Sequence, residues 1–136
     1  MTQHHFIGRL PKDGDLLESL GALCRERECT RGSVQLIGAL QRARLGFYLQ
    51  QEQRYLTHDV AANSEILVGL GNISLKDGQP FVHLHLTLGL ENGTVLGGHA
   101  MTGCIVFAAE VVLQPLDGEP LVRELDAPTG LPLWKV

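Results

Sequence analysis

Residues 71–99, GNISLKDGQPFVHLHLTLGLENGTVLGGH, decide the fold, because they have the pattern of three β-strands joined by two tight turns. Apolar and polar residues alternate along the middle segment, which is the period of a half-buried strand. The Asp-Gly and Asn-Gly dipeptides favour the positive φ angles that hairpin turns require. Successive hairpins predict antiparallel pairing, since parallel neighbours would need long crossover connections.

The middle strand, predicted over residues 79–90, carries histidines on one of its two faces. Side chains alternate across a strand, so Leu84 and Leu86 share one face while His83 and His85 share the other. Residues two apart on a strand lie about 6.5–7 Å apart at Cα. Neutral imidazole binds zinc, and a His-x-His pair at this spacing can converge on one ion. The pattern therefore predicts two metal ligands.

The register of the second hairpin decides whether His99 joins this pair. A two-residue turn would place His99 opposite Leu86, on the wrong face of the sheet. A three-residue loop over residues 91–93, closed by a left-handed glycine, is a common hairpin and places His99 opposite His85. A bulge at residues 97–98 would make the same one-residue correction. We predict this shifted register and, with it, a three-histidine metal site.

Outside this stretch the chain predicts one principal helix and further strands. Asp15 suits an N-cap, and Glu18 three residues later completes a capping box. Apolar residues then recur at helical spacing, so the helix is expected over about residues 15–28. One helix beside a mainly antiparallel sheet defines the class α+β. We predict a single domain over residues 1–136, with an irregular tail from about residue 126.

The composition fits a chain folded around an aliphatic core. Of the 136 residues, 44% are hydrophobic, 19% are charged and 5% are aromatic. The three cysteines form no CxxC pair, which argues against a disulfide framework or a zinc ribbon, and Cys104 is expected in the core. No run approaches the ~20 apolar residues of a membrane span, and no secretory signal is visible. We therefore expect a cytoplasmic protein without membrane contact.

The charge of the chain argues against direct DNA binding. The net charge is −4 at pH 7, and no basic stripe or arginine-rich tail is present. Non-specific affinity for nucleic acid comes largely from cationic contacts to phosphate. A DNA-associated role would need a basic face assembled across subunits from Arg25, Arg27, Arg31, Arg42, Arg44 and Arg54.

Five segments, taken in order, carry a resemblance to a known family: DLLESL (15–20), IGALQRARLGFY (37–48), GNISLKDGQPFVHLHLTLG (71–89), GTVLGGH (93–99) and AEVVLQPLDG (109–118). They resemble the plant and prokaryote conserved (PPC) domain in its stand-alone prokaryotic form. The resemblance implies an antiparallel sheet with a flanking helix, a homotrimer, and a metal ion, usually zinc, associated with His83, His85 and His99. The plant relatives add AT-hook segments, which this sequence lacks. A more distant likeness in fold and metal motif links the chain to acetolactate decarboxylase, which also holds zinc with three histidines.

Three functions are consistent with these features. The preferred one is a trimeric module that binds zinc or another divalent transition metal and serves assembly or small-ligand binding. The second is a zinc metalloenzyme, lyase- or hydrolase-like, acting on a small carbonyl or carboxylate substrate, because three protein ligands leave a coordination position open. The third is a DNA-associated regulator. No catalytic residue is assigned, and the candidate pocket groups are Asn72, Thr87, Arg42 and Tyr48.

Overall fold

The computed structural model describes residues 4–135, and within that range the chain forms one helix and nine strands. Every pairing between these strands is antiparallel, which confirms the mainly antiparallel α+β class. A membrane-crossing helix is absent from residues 4–135. In chain order the elements are β1 (Phe6–Leu10), α1 (Leu16–Glu26), β2 (Gly32–Leu49), β3 (Arg54–Val60), β4 (Ser64–Lys76), β5 (Gln79–Gly89), β6 (Val95–Ala100), β7 (Ile105–Pro115), β8 (Arg123–Asp126) and β9 (Leu131–Trp134).

The long strand β2 organises the main sheet. Seven strands pair in the order β1-β7-β2-β4-β5-β6, and β3 pairs with β2 outside this path. The first part of β2 pairs with β4, and near its other end Leu45 and Gly46 pair with β6. The sheet therefore curls back on itself, with β2 on both sides of the closure. At 18 residues, β2 is long enough to pair with four other strands along its length.

Gly38 allows β2 to stay continuous through its bend. The register against β4 shifts between Leu36 and Gly38, and Gly38 has a φ of 149°. A side chain at this position would overlap the carbonyl oxygen of Ala108 on β7. Only glycine combines this backbone conformation with so close an approach of the neighbouring strand.

The helix and the inner faces of the strands enclose the core. The Asp15 side chain caps α1 by accepting a hydrogen bond from the backbone N–H of Glu18 at 3.1 Å, as the capping pattern predicts. Cys24, Cys29 and Cys104 are free and buried, which confirms the expected place of Cys104. The core also takes in leucines from α1 and from the inner face of β5: Leu16, Leu20, Leu84, Leu86 and Leu88.

The tail contradicts the predicted irregular segment from about residue 126. β8 and β9 instead form a hairpin in which Arg123 lies opposite Trp134. The turn is fixed by Asp126, whose carboxylate accepts hydrogen bonds from the backbone N–H of Thr129 at 3.2 Å and from its hydroxyl at 2.6 Å. Gly130 follows with a φ of 73°. Two strands of four residues carry too short a pattern for sequence reasoning to recognise.

Candidate metal centre

The hairpin between β5 and β6 has the shifted register that the sequence predicts. The backbone N–H of Leu90 donates to the carbonyl of Thr94 at 2.8 Å, closing a three-residue loop in which Gly93 has a φ of 84°. His85 therefore lies directly opposite His99. Directly opposite residues of an antiparallel pair project to the same face of the sheet. The turn thus brings a histidine of β6 to the histidine face of β5.

The three imidazoles of His83, His85 and His99 form one cluster on the outer face of the sheet. The Nε2 atoms of His83 and His85 are 3.2 Å apart. The ring centroids of His83 and His85 are 5.0 Å apart. The centroid of the His99 ring lies 5.1 Å from that of His83 and 5.7 Å from that of His85. One nitrogen from each ring lies within 4.8 Å of the others. Tetrahedral zinc with Zn–N bonds of about 2.0–2.1 Å needs nitrogens about 3.3 Å apart. His83 and His85 meet this spacing at 3.2 Å, and a ring must rotate to bring the 4.8 Å spread of the three donors within reach of one ion.

Tyr55 of β3 reaches the cluster because the residue opposite His99 on β2 is Gly46. The ring of Tyr55 lies 4.9 Å from that of His99, centroid to centroid. A Cβ on Gly46 would approach a ring carbon of Tyr55 to 3.0 Å and the sulfur of Met101 to 2.9 Å. The glycine therefore makes room for an aromatic ring beside the third histidine. The sequence analysis did not identify Tyr55, because no local pattern connects β3 with β6.

Burial keeps two of the imidazoles neutral. The pKa of His99 is lowered to about 4, first by burial and then, in smaller measure, by the charges of His83, His85 and Arg123. The pKa of His83 is also lowered, first by burial and then by the charges of His85 and Arg123. Metals bind the neutral imidazole, so at neutral pH these ligands need not release protons before an ion enters.

Two of the four predicted pocket residues lie on the histidine face beside the cluster. Asn72 of β4 is directly opposite His83. Thr87, half-buried, is the next residue after His85 on the same face of β5, and it lies opposite Gly97. Both positions are therefore next to the imidazoles on this face, and their role as pocket groups stays a prediction.

The other two predicted pocket residues do not touch the cluster. Tyr48 packs against Tyr55, with ring centroids 5.1 Å apart, and its hydroxyl donates to the backbone carbonyl of Thr129. It is separated from His99 by the Tyr55 ring and anchors the turn of the tail hairpin. Arg42 is exposed and lies four residues along β2 from the glycine that faces His99, or about 13 Å at the rise of a strand.

Arg123 is a site residue that the sequence analysis missed. It is buried in the tail hairpin, and its charge affects the pKa values of His83 and His99. Nothing in its local sequence sets it apart from a surface arginine. Its side chain donates hydrogen bonds to the Ser74 hydroxyl at 2.7 Å, to the Pro132 carbonyl at 3.0 Å and to the Asn72 side-chain oxygen at 3.1 Å.

Acidification is expected to destabilise the metal-free protein between about pH 6.5 and pH 4. The folded state holds the pKa of His99 at about 4, below the ordinary value of 6.5, so the unfolded state takes up the proton first. The stabilising contribution of the neutral ring is complete above pH 6.5 and is lost as the pH falls through the folded-state pKa. Urea unfolding midpoints measured across this range with a chelator present check the effect.

A His99→Gln variant is the matched control, and its unfolding midpoint should depend less on pH over the same range. Asp13 and Asp59 do not interfere, because hydrogen bonds lower their pKa values below the ordinary 3.8 and outside this window. Equal slopes for the variant and the unmodified protein would contradict the assignment.

An antiparallel sheet that closes around one helix, with three histidines gathered on its outer face, defines the class of this chain: an α+β domain with a candidate metal centre. A sequence profile of the Plants and Prokaryotes Conserved (PCC) domain matches residues 1–117. The chain belongs to this family, which confirms the resemblance to the PPC domain seen in its motifs.

Solved structures with the same fold include two archaeal proteins. One is a protein of Archaeoglobus fulgidus described as metal-containing, with 37% identity and a TM-score of 0.93 over 98% of this chain and 94% of that one. The other is a PPC protein of Pyrococcus horikoshii, with 34% identity and a TM-score of 0.92 over 98% and 92% of the two chains.

A curated relative is a much longer protein. The bifunctional protein GlmU of a Synechococcus strain is 32% identical over 124 residues, which are 90% of this chain but 19% of GlmU. The chain thus spans about a fifth of the length of the curated relative that it matches.

Proposed function

We propose that this protein is a metal-binding module that holds one divalent transition metal ion, zinc in the first instance, through His83, His85 and His99. The observation that carries the proposal is the convergence of one nitrogen from each ring to within 4.8 Å. Imidazole ligands suit zinc, copper, iron and nickel. The description of the Archaeoglobus relative as metal-containing adds support, at 37% identity.

The same site offers a place for a small ligand. Three protein ligands leave one position of a tetrahedral ion open, and an ion so held supplies Lewis acidity. The chain would hold the three rings in place, keep His83 and His99 neutral by burial, and line the rim of the site with Asn72, Thr87 and Tyr55. Metal analysis of untagged protein tests the proposal, with about one ion per chain expected.

Binding ranks above catalysis because of where the acidic residues lie. Glu65 is opposite Gly89 on β5, and Glu110 is opposite Ile37 on β2, so neither stands beside the imidazoles. Within residues 4–135, no carboxylate forms an ion pair with a histidine of the cluster. A zinc metalloenzyme is the second candidate, favoured by the phenol of Tyr55 and the guanidinium of Arg123 near the site.

We infer that the module assembles as a homotrimer through the outer apolar face, which we define by Ile7, Ile37, Leu67, Val68, Leu70 and Val112. These residues lie on β1, β2, β4 and β7 and line one groove. Ile7 is 79% exposed, Ile37 55% and Leu70 56%. Contiguous apolar surface of this kind marks an interaction site. The PPC resemblance implies a homotrimer, so we assign this face to contacts between copies of the chain.

The outer apolar face adjoins the histidine cluster, because Leu70 lies directly opposite His85. Residues that are directly opposite each other on neighbouring strands form one row across six strands, on one face of the sheet. In order across the sheet, the row is Ile7, Val112, Gln35, Leu70, His85 and His99. A subunit seated on the apolar part would therefore lie next to the metal centre. We propose that assembly and metal binding share this face.

Duplex DNA is expected to bind weakly, with a Kd of about 10⁻⁶ M or higher at physiological salt, the non-specific range. The arginines available for a basic face are partly neutralised. Arg44 pairs with Asp59 at 2.8 Å and Arg54 with Glu52 at 2.6 Å. Fluorescence anisotropy with labelled duplexes across a salt series measures this. Tight, sequence-selective binding at physiological salt would show that DNA association ranks above metal binding.

A further inference from the structure

Arg123 is a buried cation without a counter-ion in the described part of the chain. Its residue is 6% exposed. The ion pairs within residues 4–135 use other cations, namely Lys12, Arg44, Arg54 and Lys135. An unpaired buried charge is costly, and structures that retain one usually compensate it with a ligand or a partner of opposite charge. Burial of this unpaired positive charge therefore favours the binding of an anion next to Arg123.

The guanidinium of Arg123 is held in a fixed orientation. Three of the five N–H groups of an arginine side chain are used here, by a hydroxyl, a backbone carbonyl and an amide oxygen. The Cζ atom also lies 4.8 Å from the ring centroid of Phe81 and 4.4 Å from that of Trp134. One N–H on each terminal nitrogen accordingly has no acceptor in residues 4–135. Two such N–H groups on a rigid, planar cation match the two oxygens of a carboxylate.

The free N–H groups of Arg123 lie near the histidine cluster. Asn72, which accepts from Arg123, lies directly opposite His83. Tyr55, whose ring packs on His99, is close enough for the charge of Arg123 to affect its pKa. The Tyr55 hydroxyl forms no hydrogen bond with any other residue between 4 and 135, so its O–H is available as a donor to a ligand. A phenol and a guanidinium therefore both lie next to the histidine cluster, the phenol at His99 and the guanidinium near His83.

We propose that Arg123 and Tyr55 form a carboxylate-binding subsite beside the three histidines, for a small ligand whose second oxygen donor reaches the metal. The carboxylate neutralises the buried guanidinium and accepts a hydrogen bond from the phenol. The ligand class is a small carboxylic acid with a hydroxyl or carbonyl oxygen next to the carboxylate. The inference rests on the proposed metal centre, which supplies the second attachment point.

Glycolate, a two-carbon hydroxy acid, is the probe, and methyl glycolate is its uncharged counterpart. Isothermal titration of the zinc-loaded protein should show binding of glycolate and none of the ester at equal concentration. Arg123→Lys should weaken glycolate binding by roughly tenfold to a hundredfold, the value of hydrogen bonds to a charged group. Tyr55→Phe should weaken it by about twofold to tenfold. Both variants should keep the zinc content of the unmodified protein.

Arg25→Lys is the matched control, because Arg25 is an exposed arginine of α1. This variant should bind glycolate as tightly as the unmodified protein. If Arg123→Lys does not fold, Tyr55→Phe decides, since it removes one hydroxyl and keeps the ring. Zinc-loaded protein that binds glycolate equally well in all variants overturns the subsite and leaves the metal centre intact. Tighter binding of inorganic phosphate than of glycolate overturns the carboxylate assignment.

Absence of zinc overturns the metal proposal separately, because zinc content is measured before any glycolate is added. In that case the metal-free protein is titrated. Weaker glycolate binding that is still lost in Arg123→Lys supports the anion subsite, and no binding overturns it.

Discussion

Replacing His85 with alanine is expected to abolish metal binding at neutral pH. The unmodified protein, purified without a histidine tag, should carry about one ion per chain, and the variant should carry almost none. Loss of a residue that merely orients a ligand costs about 10–100-fold in metal affinity, so loss of a direct ligand should cost at least about 100-fold. Elemental analysis after dialysis against metal-free buffer gives the stoichiometry, and competition with a chromophoric chelator gives the affinity.

His58→Ala is the matched control, because His58 is an exposed histidine of β3 outside the cluster. Its metal content should equal that of the unmodified protein. His85 is exposed as well, so its replacement should leave the fold intact, and circular dichroism checks this. A His85→Ala protein that retains one tightly bound ion would refute the assignment of the ligands.

Lysine in place of Ile37 is expected to convert the proposed trimer into monomers. The solution mass should fall from three times the chain mass of 14.8 kDa to that mass. Ile37 is 55% exposed and lies opposite Glu110, so within one chain the lysine gains an acidic neighbour and costs little stability. Buried against a second subunit, the charge would cost several kcal/mol. Light scattering coupled to gel filtration, at a series of concentrations, measures the change.

Leu125→Lys is the control for this experiment. Leu125 is 78% exposed on β8, outside the outer apolar face, and its replacement should leave the mass unchanged. A monomeric unmodified protein, or a trimer that survives Ile37→Lys, would remove the outer apolar face as the site of assembly.

Sequence reasoning could place the histidines because local rules determine the hairpin that carries them. The alternation along β5 assigns His83 and His85 to one face, and the left-handed Gly93 selects a three-residue loop. Loop length then fixes the register, and the register fixes the face of His99. Likewise, the turn at Asp77 and Gly78, with φ angles of 51° and 74°, follows from its residue types.

The remaining features depend on contacts between distant segments, which a single sequence does not encode in any local pattern. Arg123 meets Ser74 and Asn72 across 49 and 51 residues of chain. Its hairpin contains Pro132 and a short turn, so its composition resembles that of a loop. The closure of the sheet also depends on distant segments, because Gly46 pairs with His99 only when β2 bends. That pairing also brings Tyr55 to the site.

X-ray absorption at the zinc edge, on untagged protein loaded with one equivalent of zinc, tests the central claim most directly. We predict three imidazole nitrogens at about 2.0–2.1 Å from the ion, the distance of histidine-bound zinc, and a change in this shell in the His99→Gln variant. A shell made of oxygen ligands alone, or a spectrum that His99→Gln leaves unchanged, would contradict the account.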